Sequence, residues 1–290
     1  MSLYVAFTMD CERIAAESPP GGPESWALSE RAIWGYCERL LDRGYRPTLF
    51  LVPECAARHA RLLARLAGRG VELGLHVHPQ SLGDHRYGRY LGEYSADEQR
   101  EIVALASDML AEATGVRPVS FRPGNFSASD DTYPLLYDLG FRQGSVSDPG
   151  RTAPQFAALW EGACPDPHHV DPADRLWAGA LPFLEVPLTT DPERRRPDGL
   201  PYELRLESGS FEAWQRPVLE RCLARQQRER VAFRALCALT HNCYAYDRRD
   251  DPRAETLVGM LDYLDGLARH EGLVPVTLAE AHECFRGACR

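Results

Sequence analysis

The chain has 290 residues, 44% of them hydrophobic, enough to bury a full core in one large α/β domain or two small ones. Its formal net charge of −9 argues against nucleic acid as a partner, because a phosphate-backbone reader needs a clustered basic surface. The first strand-like run begins at Leu3 with no basic leader, and no later stretch is long and apolar enough to span a bilayer, so the expected setting is the cytoplasm, without a membrane span.

In chain order, "LYVAFTM" from Leu3 reads as a strand. A helix is expected over about 29–43, with Ser29 as its cap and Gly44 as its stop. Next come a strand "PTLFLV" (47–52), the arginine-rich amphipathic helix "CAARHARLLARLAGRG" and a strand "VELGLHVH" (71–78). The capping pattern "SADE" at Ser95 opens a long helix to about Thr114, ahead of the strand "VSFRPGN" (119–125). "SASDDTYPLLYDLG" leads into "FRQGSVSD", followed by "FLEVPLT" (183–189), a helix near 211–229, "RALCALTHN" (234–242), a helix near 253–270 and "LVPVTL" (273–278). Two stretches break this rhythm, about 149–182 and 190–210, where proline, charge and turn residues concentrate; they are expected to fold over a rim as irregular pocket-shaping loops.

Strands alternating with helices give a parallel sheet, and strands that are apolar throughout are covered on both faces. Seven to eight such strands in one α/β chain favour a single-domain (β/α) barrel over residues 1–290, with working residues at the C-terminal ends of the strands. Unusual polar residues fall there: Asp10 and Glu12, His76 and His78, Arg122 and Asn125, Asp148, then His241 and Asn242. His59, His168, His169, His270 and His282 lie on expected helices or in the irregular loop and read as solvated or structural.

Residues two apart on an extended segment point to the same side, so His76 and His78 project together. Two imidazoles on one face suit a bidentate grip on a divalent ion, and a carboxylate would complete the set. In "TMDCER", Asp10 and Glu12 share a face while Cys11 turns away. The nine cysteines are odd in number and contain no CxxC pair, so they read as scattered buried thiols rather than a zinc-finger framework.

These segments resemble the metal-dependent polysaccharide deacetylase family (the NodB-homology domain of carbohydrate esterases), whose domain is an incomplete or distorted (β/α) barrel. "FTMD" is similar to its first motif, "GLHVHP" to a shortened second motif, "FRPGN" to the third, "GSVSD" to the fourth region and "LTHN" to its late leucine-x-histidine motif. The resemblance implies Asp10 as general base, Arg122 as its partner and His241 as general acid. It implies Glu12, His76 and His78 as ligands of a divalent metal ion, zinc first, with cobalt, nickel or manganese as substitutes. Asn125, Asp148, Glu185 and Asn242 are candidate pocket-lining residues. Two features depart from the family pattern: Cys11 stands where a second aspartate is usual, and the histidines are two apart where four is usual, with Gln80 at the four-apart position. Asp10 remains an alternative carboxylate ligand, and a Cys11 thiolate a weaker one.

The implied activity is hydrolysis of a linear amide, removing an acetyl or related acyl group from an amino sugar, sugar nucleotide or glycoconjugate precursor. Two alternatives stand beside it: a metal-independent hydrolase of cyclic amides or ureides on the same barrel, and a catalytically inactive carbohydrate-binding relative.

Overall fold

The structure, a computed structural model, describes residues 2–18, 21–82 and 86–288. Its first half is a regular alternation: β1 (Leu3–Cys11), α1 (Trp26–Leu41), β2 (Thr48–Leu51), α2 (Pro53–Arg58), α3 (Ala60–Ala67), β3 (Glu72–Val77), α4 (Ala96–Thr114), β4 (Ser120–Pro123), α5 (Thr132–Asp138) and β5 (Gln143–Gly144). The second half contains β6 (Thr152–Ala153), β7 (Ala158–Leu159), β8 (His168–Val170), β9 (Leu181–Glu185), β10 (Thr190–Arg195), β11 (Pro201–Glu203), α6 (Arg216–Arg228), β12 (Arg234–His241), α7 (Pro252–Ala268), β13 (Leu273–Pro275) and α8 (Leu278–Ala288).

The main sheet runs β12-β1-β2-β3-β4-β5-β9-β8, and β13 pairs with the first residues of β1. From β12 to β9 the pairing is parallel, while β8 joins β9 antiparallel. β2 is buried along its whole length and β1 at all but one of its residues, as expected for strands covered by helices outside and side chains within. The sheet curls into an incomplete barrel. Between β9 and β12, irregular backbone bridges the gap: Thr189 N–H donates to Cys237 O (3.1 Å), Leu206 N–H to Leu239 O (2.9 Å) and Leu239 N–H to Leu204 O (3.0 Å).

Several local expectations are corrected. Helix α1 starts earlier than expected because Ser25, not Ser29, caps it, its hydroxyl accepting from Leu28 N–H at 3.2 Å. Ser29 lies buried inside the helix instead, bonded to His59 Nε2 (2.9 Å). The single helix expected from Cys55 is instead interrupted at buried His59 (φ −110°), which separates α2 from α3. The fifth strand shrinks to two ladder residues. The two irregular connections hold short hairpins, β6 with β7 and β10 with β11, together with β8. Helix α8 follows the last strand. Helix α4 forms as its sequence predicts, with Ser95 and Glu98 in a reciprocal capping box and Gly115 closing it at φ 74°.

Eight cysteines are free, five of them buried, and Cys289 lies outside the described residues. Among the described residues, no helix is long and apolar enough to cross a membrane.

Candidate active site

Parallel pairing sets the rim. Asp10 stands opposite His241 on β12, and His76 opposite Arg122 on β4, so four side chains from distant segments meet at the same ends of neighbouring strands. Arg122 is fully buried and crosses the barrel mouth. Its Nη1 donates to Asp10 Oδ1 (2.7 Å) and Thr8 Oγ1 (2.8 Å), its Nε donates to Ser145 O (3.2 Å), and its guanidinium stacks 4.4 Å from the Phe50 ring centre. Burial alone would raise the Asp10 pKa, but the charges of Arg122, His76 and His241 outweigh it and hold the carboxyl below its usual range.

Glu12 lies just past β1, where Asn242 clamps its backbone from both sides. Glu12 N–H donates to Asn242 Oδ1 (2.9 Å) and Asn242 Nδ2 donates back to Glu12 O (2.8 Å), much as a strand neighbour would. Thus held, Glu12 Oε1 faces His76 Nε2 at 3.1 Å and His78 Nε2 at 2.8 Å. The donor atoms of Glu12, His76 and His78 lie within 4.8 Å of one another.

The tautomer of His76 bears on whether a metal fits. His76 Nδ1 lies 2.9 Å from Arg122 O, and a carbonyl only accepts, so Nδ1 carries a proton. In a neutral His76 the lone pair on Nε2 then points at a carboxylate oxygen, an arrangement that is repulsive unless a proton or a metal cation lies between. Glu12 is held well below the usual carboxylate range, because His78 and His76 outweigh the effect of its burial. Burial would lower the His76 pKa, but Asp10 and Glu12 raise it. A divalent ion held by Glu12, His76 and His78 would satisfy all three groups.

The two-apart histidine spacing is accommodated by Gly124. A Cβ there would overlap the His78 ring, so only glycine leaves room for the imidazole to turn toward Glu12. Asn125 and Phe126, next in the loop, both adopt left-handed backbone angles (φ 58° and 57°), a strained conformation of the kind found at functional sites. Gly124→Ala is expected to weaken metal binding ~10–100-fold while the fold is retained, measurable by competition with a chelating dye. Unchanged affinity would show that His78 is not held by this contact.

His241 Nδ1 bonds Glu207 Oε1 at 2.6 Å, which leaves Nε2 as the group free to exchange a proton with a ligand. Burial would raise the Glu207 pKa, but His241 and Arg205 bring it down to about 2, so this carboxylate stays ionised at neutral pH.

Asp10, Glu12, His76, His78, Asn125 and His241 line one cavity of about 340 Å³, joined by Phe126, Arg151, Arg205, Glu207 and Tyr244. Three expected lining residues sit behind the rim instead. Asn242 is fully buried and engaged by Glu12 and Ser29. Glu185 is buried and accepts from Val146 N–H, Ser147 N–H and Ser147 Oγ, stabilising the end of the short β5. Asp148 is buried against Arg151. Cys11 turns away from the cavity, and burial raises its thiol pKa far above the ordinary range, which argues against a thiolate ligand. Asp10 faces Arg122 rather than the donor cluster, with Oδ2 3.9 Å from His76 Nε2. Gln80 sits in the turn after β3 and is not among the cavity-lining residues.

Sequence reasoning missed Arg151, Arg205 and Glu207. The alternation in "LRLE" (204–207) was an available signal: Leu204 and Leu206 are buried beside β12, and Arg205 and Glu207 point together into the cavity. A larger cavity of about 880 Å³ opens at the opposite end of the barrel, beside α8, and contains none of these groups.

Comparison with known proteins adds to this geometry. The polysaccharide deacetylase family profile matches residues 30–144, a span that includes His76, His78 and Arg122 but not Asp10, Glu12 or His241. Solved structures are similar over nearly the whole chain. A provisionally assigned polysaccharide deacetylase from Mycobacterium smegmatis aligns with TM-score 0.63 and 20% identity, covering 98% of this chain and 90% of that one. A probable polysaccharide deacetylase from Pseudomonas aeruginosa PAO1 aligns with TM-score 0.60 and 16% identity, covering 97% and 90%. PuuE allantoinase aligns with TM-score 0.61 and 15% identity, covering 98% and 90%. No curated protein sequence matches the chain.

Proposed function

We propose that this chain, which resembles the polysaccharide deacetylase family and shares its barrel fold, is a metal-dependent hydrolase that removes an N-acyl group, acetyl first, from an amino sugar or related small molecule. The observation that carries this reading is the convergence of the Glu12, His76 and His78 donors with the Asp10–Arg122 and His241–Glu207 pairs on one cavity. At about 340 Å³ that cavity is at the small end of the ~300–1,000 Å³ range of ligand sites, which favours a single sugar-sized group over a long polymer.

Glu12, His76 and His78 would hold the metal, which when bound polarises a carbonyl and acidifies water. Asp10, kept ionised and oriented by Arg122, takes the proton from the attacking water. His241, with its Nδ1 proton fixed by Glu207, delivers a proton from Nε2 to the leaving amine. This division of labour predicts that Glu207→Gln lowers kcat by ~10²-fold or more while metal content stays unchanged, because the amide no longer stabilises a charged imidazole. Equal turnover by the variant would show that Glu207 does not support the proton transfer by His241.

The direct test is acetate release from N-acetylated sugars, sugar nucleotides and simple amides, lost on chelation and restored by zinc. The likeness to an allantoinase supports one second reading, a metal-independent hydrolase of cyclic ureides. Turnover of a cyclic ureide that survives exhaustive chelation would select that reading.

A further inference from the structure

Two arginines, Arg151 and Arg205, line the cavity and a third, Arg122, is buried behind Asp10; they differ in what occupies their donors. Arg122 is engaged by Asp10, Thr8 and Ser145 O. Arg205 is engaged by Glu203, which accepts from its Nε (3.2 Å) and Nη2 (2.9 Å), and by Glu207, which accepts from Nη1 (3.4 Å). Arg151 is different. It is 8% exposed, lines the cavity, and among the described residues has a single long side-chain bond, Nη1 to Asp148 Oδ2 at 3.3 Å. Its Nε is buried without a partner among the described residues, and so is Oδ1 of Asp148. Two rings hold the guanidinium in place, with the Phe126 and Phe156 centres each 5.8 Å from Cζ.

A buried guanidinium is costly unless its donors are filled, and a planar fork with free donors matches a carboxylate or phosphoryl oxyanion in a bidentate manner. Asp148 is a weak competitor for that fork: burial and the neighbouring charge of Glu203 raise its pKa, so near neutral pH it offers Arg151 less than a full countercharge. Phe126 follows Asn125 directly in the strained loop, so the wall that fixes Arg151 is continuous with the wall beside His78.

We propose that Arg151 is a specificity-determining residue that binds an oxyanion on the substrate, so that the site acts on an acylated amine which also carries a carboxylate or phosphoryl group. This inference builds on the hydrolase reading by naming its substrate class, and its test does not depend on turnover. Chelator-treated, dialysed protein is titrated with malonate and with inorganic phosphate by calorimetry, in the wild type, Arg151→Gln and Arg151→Lys, with thermal melts to establish that each variant is folded. The expected result is millimolar or tighter binding in the wild type, weakened at least ~10-fold in Arg151→Gln and partly recovered in Arg151→Lys. A preference for malonate would identify a carboxylate and a preference for phosphate a phosphoryl group. Equal binding by folded Arg151→Gln, or no binding of either anion by the wild type, overturns the proposal. Metal content measured on untreated samples of the same proteins separates the two ideas: a wild type that takes up no metal contradicts the hydrolase reading and leaves the anion result standing.

Discussion

Glu12→Gln protein is expected to fold, to lose its divalent metal and to lose ~10³-fold or more in hydrolysis of the amide substrate. Glu12 is the group that both histidines face, at 3.1 and 2.8 Å, and it is the anionic member of the donor set. A neutral amide in its place lowers the affinity of the cluster for a cation, and the several kcal/mol of charge stabilisation that a bound metal supplies is lost, at ~1.4 kcal/mol per tenfold in rate. The backbone of residue 12 is held by Asn242 rather than by its own side chain, so the substitution leaves the local chain path intact. Elemental analysis beside acetate release checks both halves. Full metal occupancy in this variant would mean that the ion sits elsewhere.

Arg122→Met is expected to lower stability by ~3–5 kcal/mol, a fall in Tm on the order of 10 °C, and activity by ~10²-fold or more. The loss follows from what remains behind. Asp10 is 4% exposed, and without Arg122 its carboxylate is left buried with its main countercharge gone. Burial then pushes its pKa up, the proton stays on, and the base is lost together with the fold's stability. Combining Arg122→Met with Asp10→Asn is expected to recover part of the stability and none of the activity. Thermal melts and initial rates on the three proteins separate the two roles. A single Arg122→Met variant as stable as wild type would contradict the description of the pair as a buried, mutually dependent unit.

The rim was legible because strand ends can be located from the apolar runs that precede them. "LYVAFTM" ends just before Asp10 and "VELGL" just before His76, and parallel pairing brings those ends together without further information. The period of two along "HVH" placed both imidazoles on one side. What stayed hidden depends on contacts between remote segments. Ser25 and Ser29 are equally good caps by composition, and only the partnership of Ser29 with His59 and Asn242 decides between them. Glu185 lies within an expected strand and Asp148 just after one, yet both turn inward: Glu185 accepts from the Val146 and Ser147 N–H groups that lie beyond the two-residue β5, and Asp148 is buried against Arg151. The Glu207–His241 pair arises where the barrel is bridged by irregular backbone across 34 residues of chain, and no local pattern encodes that meeting.

The proposed metal site is that of Glu12, His76 and His78, despite the shortened histidine motif. Its most direct test is zinc titration of the metal-stripped wild-type protein by calorimetry, with His76→Ala and His78→Ala alongside. The expected result is one ion per chain in the wild type and none, or binding weakened at least ~100-fold, in each variant. No zinc uptake by the wild type, or uptake equal in all three proteins, would contradict it.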